Sequence, residues 1–185
     1  MAEHSDEHIL GLIQSDRFEE GFRLLVRQYQ ERLYWLVRKM VLHHEDANDV
    51  LQNIFIKVHR NIQRFEGKSK LYTWLYRIAT NETLTYLDKQ KRHRIASIEE
   101  EDINIVNTLH ADEYFDGDEA QVKLQVAIKQ LPPRQQLIFS LRYFEDLSYD
   151  NISTILETSV GSLKASYHHA AKKIEAHLRT IAEDY

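Results

Sequence analysis

The chain has 185 residues and no cysteine, which excludes disulfides, thiolate metal sites and cysteine nucleophiles. It has only 5 glycines and 2 prolines, too few for the many turns of a β-sandwich or barrel. With 43% hydrophobic and 29% charged residues, the composition is typical of a folded globular protein. No apolar run reaches the ~20 residues of a membrane span, and the first residues lack a signal-peptide pattern. We therefore expect an all-α, cytoplasmic protein that does not bind membranes.

The net charge of −5 is unevenly distributed along the chain. Residues 1–94 hold 16 basic against 13 acidic residues, and residues 120–185 hold 8 against 7. Residues 95–119 hold 9 acidic residues and no basic ones. Like charges repel and keep such a segment extended, so we interpret it as an acidic linker. The flanking parts are mildly basic, so the overall negative charge does not argue against a nucleic-acid partner.

The first half of the chain repeats apolar residues at helical spacing. A stripe over residues 18–40 continues for several turns, and a shorter amphipathic helix precedes it at residues 9–13. Two further helices are predicted at residues 46–62 and 69–92, separated by the Phe65–Lys68 loop. Short connections between such helices indicate an N-terminal helical bundle.

Four helices are predicted after the acidic linker, at residues 122–131, 134–144, 149–156 and 162–181. Pro132 and Pro133 end the first of them, because proline lacks the amide proton that a helix interior needs. Ser148 is placed to cap the third helix. A tight turn at Thr158–Gly161 joins the last two. Two helices joined by a short turn that contains glycine are typical of a helix-turn-helix.

The last predicted helix has an outward face that fits DNA recognition. Opposite its apolar side lie Lys164, Ala165, His168, His169 and Lys172. Such a face fits a major groove, with lysines on phosphates and histidine or serine on base edges. An ordinary solvated helix has the same pattern, so the residues alone leave both interpretations open. Neighbouring side chains diverge by ~100° on a helix, so we expect no metal at His168–His169 or at His43–His44.

The 69–92 helix predicts a second nucleic-acid surface. Its polar face is centred on Arg77 and contains Lys70, Thr73, Asn81 and Leu84, with Trp74 at the border. Cations on phosphates, aromatic rings on unpaired bases and an amide on a base edge suit single-stranded nucleic acid. The alternative is that Trp74 is a residue at the edge of the core. The Phe65–Lys68 loop is a candidate pocket for an unstacked base. The end of this helix carries a basic cluster of Lys89, Lys91, Arg92 and Arg94.

The 46–62 helix has a polar face with one apolar residue at its centre. The face consists of Glu45, Asp49, Gln52, Asn53, Ile56 and Arg60. The fold does not require Ile56 there, so the pattern indicates a docking site for a protein partner. Scattered surface hydrophobes are also ordinary, and this interpretation stays open as well.

Three segments in this order resemble the extracytoplasmic-function (ECF) sigma factors of bacterial RNA polymerase. They are DANDVLQNIFIKV (46–58), RFEGKSKLYTWLYRIATNETLTYL (64–87) and LPPRQQLIFSLRYFEDLSYDNISTILETSVGSLKASYHHAAKKIEAHL (131–178). The resemblance implies two helical domains, sigma region 2 at residues 1–94 and sigma region 4 at residues 120–185. The acidic residues 95–119 match the family linker that threads the polymerase, where carboxylates can occupy a channel built for nucleic acid.

The resemblance also implies partners and site residues. Core RNA polymerase, through its β′ clamp helices and β subunit, promoter DNA and an anti-sigma factor are the implied partners. The surface that binds the β′ clamp helices would consist of Asp49, Gln52, Asn53 and Ile56. The melted minus-ten element would be bound by Phe65, Lys68, Lys70, Trp74, Arg77 and Asn81, with Lys89, Lys91 and Arg92 on phosphates. The minus-thirty-five duplex would be bound by Ser162, Lys164, Ala165, Ser166, His168, His169 and Lys172.

The recognition helix departs from the family pattern. The family usually has more arginine there, and this chain has Ala165, Ser166, His168 and His169 instead. No bidentate arginine–guanine pair can be assigned, and stable DNA binding is expected to need polymerase.

A stand-alone helix-turn-helix regulator is the alternative function among DNA-binding proteins, and a helical adaptor is the alternative among proteins that do not bind DNA. No residue set is arranged for covalent chemistry, so we expect neither an enzyme nor a cofactor.

Overall fold

The computed structural model describes residues 5–41, 43–93 and 118–183. These residues form eight α-helices and one 3-10 turn, and they contain no β-strand. The helices are α1 (Asp6–Ile13), α2 (Phe18–Arg38), α3 (His44–Asn61), α4 (Leu71–His93), α5 (Glu119–Lys129), α6 (Pro133–Tyr143), α7 (Tyr149–Leu156) and α8 (Val160–Glu183), with the 3-10 turn at Ile62–Arg64. The all-α prediction is confirmed, and the helix ends lie within about three residues of the predicted ones.

Helices α1 to α4 form the N-lobe. The Ser5 side chain caps α1 by accepting a hydrogen bond from the His8 amide (3.2 Å). Where α1 crosses α2, Gly21 allows close contact, since a Cβ there would lie 2.8 Å from the Ile13 backbone nitrogen. The predicted α2 stripe is the centre of this lobe, and Leu25, Leu33 and Leu36 are fully buried.

Helices α5 to α8 form the C-lobe. Its own small core contains Ala127, Ile128, Leu131, Phe139, Ala170 and Ile174. The Phe139 ring stacks on Tyr167 with centroids 5.5 Å apart, which joins α6 to α8. Ser148 caps α7 as predicted, because its hydroxyl accepts from the Asn151 amide (3.2 Å).

The turn between α7 and α8 differs from the predicted one. Glu157, not Gly161, takes the left-handed conformation that ends α7 (φ 51°). Helix α8 already begins at Val160, so Gly161 lies in its first turn. The Ser159 hydroxyl accepts from the Ser162 amide (3.3 Å) and thereby caps α8.

The two lobes share one continuous apolar core. Leu71, Leu75 and Ala79 of α4 belong to the same buried cluster as Leu141 and Ile155 of the C-lobe. Polar contacts accompany them, including a hydrogen bond from the Lys129 ammonium to the Met40 carbonyl. The boundaries predicted for the two regions and the linker stay predictions, since residues 94–117 lie outside the described part of the chain. Within that part, no helix is long and apolar enough to cross a membrane.

Candidate nucleic-acid and protein interfaces

The outward face of α8 is solvent-exposed along its first half. Leu163 and Ala170 are fully buried and fix the orientation of the helix. The exposed residues on this face are Ser162, Lys164, Ala165, His168, His169 and Lys172, and Ser166 is half-buried. The Lys164 ammonium lies 5.7 Å from the Tyr149 ring centroid, a cation–π contact that holds this lysine beside α7. The helix therefore presents the predicted set of side chains at one open surface.

The rings of the adjacent histidines on α8 lie apart and point in different directions. The His168 and His169 rings are 6.1 Å apart and tilted by 55°. Across the described residues, no group of three or more His, Cys, Asp or Glu side chains is placed to hold a metal ion. Both histidines are exposed on the open face of the helix.

The aromatic part of the α4 surface is built on Phe65. The Trp74 ring is half-buried and packs on Phe65, with the centroids 5.4 Å apart. Phe65 itself is only 9% exposed and belongs to the buried core, so the more exposed ring of the pair is that of Trp74. Gly67 has a positive φ of 69° and allows the loop to turn beside this pair. Lys70 and Lys68 are exposed, and Lys68 forms an ion pair with Glu66.

Arg77 is bound by the C-lobe. Its guanidinium donates to the Thr154 carbonyl (2.7 Å) and forms an ion pair with Glu157 (2.9 Å). Its neighbour on the predicted face, Thr73, is only 5% exposed. The expectation of one solvent-facing strip around Arg77 is therefore wrong at this point, because the C-lobe lies against it. Asn81 remains exposed, as the sequence predicted.

The basic end of α4 is described only in part. Lys89 and Lys91 are exposed, which agrees with their predicted place in a cluster of positive charge. The Arg92 side chain and the whole of Arg94 lie outside the described residues. Their assignment to phosphates therefore stays a prediction.

The predicted docking face of α3 is fully accessible. Asp49, Gln52 and Asn53 are exposed, and Ile56 has 42% of its surface in contact with solvent. Beside it runs an open groove between α2 and α3, lined by Phe22, Val26, Gln52, Phe55, Ile56, His59 and Arg60. The apolar floor of this groove enlarges the patch that Ile56 begins, so this surface can bind an apolar side chain of a partner.

Sequence reasoning missed two features of the apolar surface. The His59 ring packs edge-on against Phe18 and Phe22, with centroid distances of 5.1 and 4.8 Å. In the C-lobe a second groove has Tyr143 at its rim, which is 56% exposed. Its other lining residues are Leu124, Phe139, Tyr167, Ala171, Ile174, Glu175, Leu178 and Arg179. Both grooves form between helices, and the periodicity of single helices does not reveal them.

A helix-turn-helix lobe with an exposed helix face, packed on a bundle with its own polar and aromatic surface, is the arrangement expected of a DNA-binding transcription factor. Residues 25–93 match the Sigma-70 region 2 family, and residues 121–174 match Sigma-70 region 4. Both matches fall on the lobes described above. The chain belongs to the ECF sigma factors of bacterial RNA polymerase, and as such it is a DNA-binding transcription initiation factor.

Characterised relatives extend over both lobes. The chain is 29% identical over 192 residues to the RNA polymerase sigma-H factor of Pseudomonas aeruginosa, which covers 100% of this chain and 99% of that protein. It is 32% identical over 165 residues to the ECF RNA polymerase sigma-E factor of Escherichia coli K12, with 85% and 86% covered.

Two solved structures share the fold. CnrH, in complex with the cytosolic domain of CnrY, has a TM-score of 0.68 and 18% identity over 95% of this chain and 97% of that one. The sigma factor RpoE of Bartonella quintana, in complex with the anti-sigma factor NepR, has a TM-score of 0.64 and 19% identity. That match covers 85% of this chain and 96% of the other.

Proposed function

We propose that this sigma factor reads promoters with two separate surfaces. The exposed face of α8 binds the upstream element as duplex DNA in the major groove. The Phe65–Lys70 loop and the Trp74 side of α4 bind the downstream element as melted single strand. The exposed face of α3 around Ile56 binds the β′ clamp helices of core RNA polymerase. A stand-alone regulator has no need for this last surface, and Ile56 beside the α2–α3 groove is the observation that carries the proposal.

The direct test is transcription in vitro with core polymerase from the same organism, with and without this protein, on that organism's promoter fragments. We expect initiation at defined promoters only when the protein is added. Lys164 and Lys172 supply little positive charge, so the protein alone is expected to bind these fragments weakly and with a shallow salt dependence. The absence of initiation on every fragment would contradict the proposal.

The role of Trp74 is tested by separating the two steps of promoter binding. Base stacking on an aromatic ring contributes about 1–3 kcal/mol per base, so Trp74→Ala should reduce open-complex formation roughly tenfold or more. Closed-complex binding should change little, because duplex DNA offers no unstacked base. Trp35→Ala is the matched control, since Trp35 is 40% exposed on α2 and lies outside every proposed surface. Equal losses in both complexes would remove Trp74 from the site.

The α3 surface is tested by reversing one charge. Asp49→Lys should abolish binding to core polymerase and leave the helix content unchanged, because Asp49 is exposed and lies beside the Ile56 patch. Glu31→Lys on α2 makes the same charge change at another exposed carboxylate and should bind core normally. Unaltered association of the Asp49 variant in a pull-down with core polymerase would remove this face from the proposal.

An anti-sigma factor is the further partner that we infer for this chain. The two structural neighbours were solved in complex with the cytosolic domain of CnrY and with the anti-sigma factor NepR. The apolar groove at Tyr143 and the groove beside Ile56 are both open to such a protein. Co-purification of the tagged chain from its own organism, followed by identification of a partner that blocks transcription in vitro, tests this inference.

A further inference from the structure

We propose that Glu145 is a latch residue that holds the two lobes closed, and that the closed arrangement withdraws Arg77 from DNA. The first part rests on contacts between the lobes alone. The second part rests on the function proposed above for α4. The two parts have separate tests, so the latch can be confirmed even if the assignment of Arg77 to DNA is wrong.

Glu145 makes two polar contacts across the boundary between the lobes. It follows the end of α6, and its carboxylate accepts from the Lys39 ammonium (2.8 Å) and from the Tyr76 hydroxyl (3.1 Å). The Lys39 and Glu145 side chains are only 21% and 16% exposed, so solvent screens their attraction less than it screens a surface pair. Lys39 also lies 4.9 Å from the centroid of the Phe144 ring. One carboxylate of the C-lobe thus binds residues from both α4 and the end of α2.

The surface of α4 beneath the C-lobe is lined with threonine. Thr73 and Thr80 lie around the helix between Tyr76 and Arg77, and both of these flanking residues contact the C-lobe. Thr73 is 5% exposed and Thr80 is fully buried, and their position between two residues held by the C-lobe puts this strip at the boundary between the lobes. The Thr80 hydroxyl donates to the Arg77 carbonyl of its own helix (3.1 Å). Separation of the lobes therefore leaves that hydroxyl paired, which suits a surface that is covered in one state and exposed in another.

The polar contacts that Arg77 makes in the closed arrangement are weak. Its ion-pair partner Glu157 is 72% exposed, and such a pair contributes little to stability. The buried Arg77 Nε has no hydrogen-bond partner within the described residues. Of these two polar attachments between the lobes, that of Glu145 is the better shielded from solvent, so its loss is expected to release Arg77 as well. The Arg77 side chain is 37% exposed in the closed arrangement, but both of its terminal nitrogens are occupied by Thr154 and Glu157. Opening the lobes would free these nitrogens for phosphate, to which a guanidinium can donate with paired N–H groups.

A single introduced thiol reports the opening directly, because the chain has no cysteine of its own. Thr80→Cys places a thiol on the face of α4 between the two residues that contact the C-lobe, and Ala47→Cys places one in α3, where Ala47 is fully buried within the N-lobe. The rate at which a thiol reagent modifies each variant measures how often its surroundings open. The first reports separation of the lobes, and the second reports unfolding of the N-lobe.

The Glu145→Gln substitution is then combined with each of the two cysteine substitutions. A charge-assisted hydrogen bond in a shielded site is lost in Glu145→Gln, so the Thr80→Cys thiol should react about tenfold faster. The Ala47→Cys thiol should keep its rate. Asp146→Asn is the matched control, because Asp146 is exposed, pairs with Arg142 of its own lobe and likewise exchanges a carboxylate for an amide. Lys39→Met removes the other partner and should reproduce the effect of Glu145→Gln.

Two outcomes overturn the latch. One is a Thr80→Cys rate that is the same in the Glu145→Gln, Asp146→Asn and unsubstituted backgrounds. The other is an equal acceleration at both thiols, which would mean that Glu145 stabilises the N-lobe rather than its contact with the C-lobe. Neither DNA nor polymerase is present, so these results do not depend on the sigma activity.

The withdrawal of Arg77 is tested with a short fluorescein-labelled single strand of mixed sequence and the free, full-length protein. Glu145→Gln should bind it about tenfold more tightly, with a salt dependence steeper by about 0.7 for one added phosphate contact. The gain should disappear when Arg77→Ala is added. Unchanged affinity and salt dependence, in a variant whose Thr80→Cys rate has risen, would overturn this second part and leave the latch standing.

Discussion

At the scale of single residues, the turn of the helix-turn-helix depends on an unusual backbone conformation. Glu157 has a φ of 51°, a region that costs an ordinary L-residue about 1 kcal/mol relative to glycine. Its side chain is exposed and pairs with Arg77, so no packing fixes a glutamate there. The turn between α7 and α8 therefore contains a small backbone strain, which a glycine at position 157 would relieve.

The backbone strain at Glu157 can be measured by comparing two variants that both lack the ion pair. Glu157→Gly and Glu157→Gln both remove the pair with Arg77, and only glycine relieves the backbone. We expect the glycine variant to be more stable than the glutamine variant by about 1 kcal/mol. Urea unfolding of the two variants under identical conditions measures the difference. A glutamine variant as stable as the glycine variant would show that this turn relaxes without cost.

At the scale of elements, two glycines in neighbouring helices face opposite surroundings. A Cβ at Gly11 in α1 would have open space around it. A Cβ at Gly21 in α2 would lie 2.8 Å from the Ile13 backbone nitrogen and 2.9 Å from the Leu12 Cβ. The crossing of α1 over α2 therefore depends on the absence of one methyl group.

The two alanine substitutions should have opposite effects on stability. Gly11→Ala should stabilise the protein by about 0.5–1 kcal/mol, because alanine is the better helix former and meets no neighbour. Gly21→Ala has the same helix-propensity advantage, but the clash with α1 should make it destabilising by about 1–3 kcal/mol. Thermal unfolding followed by circular dichroism checks both. Stabilisation by Gly21→Ala would mean that α1 shifts freely on α2.

The elements themselves could be predicted because their causes are local. The α2 stripe, the prolines at the start of α6 and the capping Ser148 act within a few residues, and the structure confirms all three. The surroundings of Arg77 could not be predicted in the same way. Its partner Thr154 is 77 positions away, and the contact exists only because the lobes pack together. For the same reason, helical spacing placed Ile56 on an exposed face but could not show the groove beside it.

At the scale of the whole molecule, the contact between the lobes should weaken at alkaline pH. Burial raises the pKa of the Tyr76 hydroxyl above its ordinary value, and the neighbouring Glu145 carboxylate raises it further. Once the lobes separate, the phenol regains its ordinary pKa of about 10. The closed state thus keeps a proton that the open state loses above this pH. The free energy of closing the two lobes is therefore independent of this phenol below about pH 10, and it becomes less favourable as the pH rises above that value.

Small-angle X-ray scattering can follow this change as an increase in the radius of gyration. We expect the unsubstituted protein to expand above about pH 10 before its helices unfold, and Tyr76→Phe to remain compact further into the alkaline range. Tyr29→Phe is the matched control, since Tyr29 is also buried and hydrogen-bonded to a carboxylate, Asp6 (2.7 Å), but lies wholly within the N-lobe. Its expansion should follow that of the unsubstituted protein. If both phenylalanine variants resisted expansion equally, the alkaline change would originate in the N-lobe and not between the lobes.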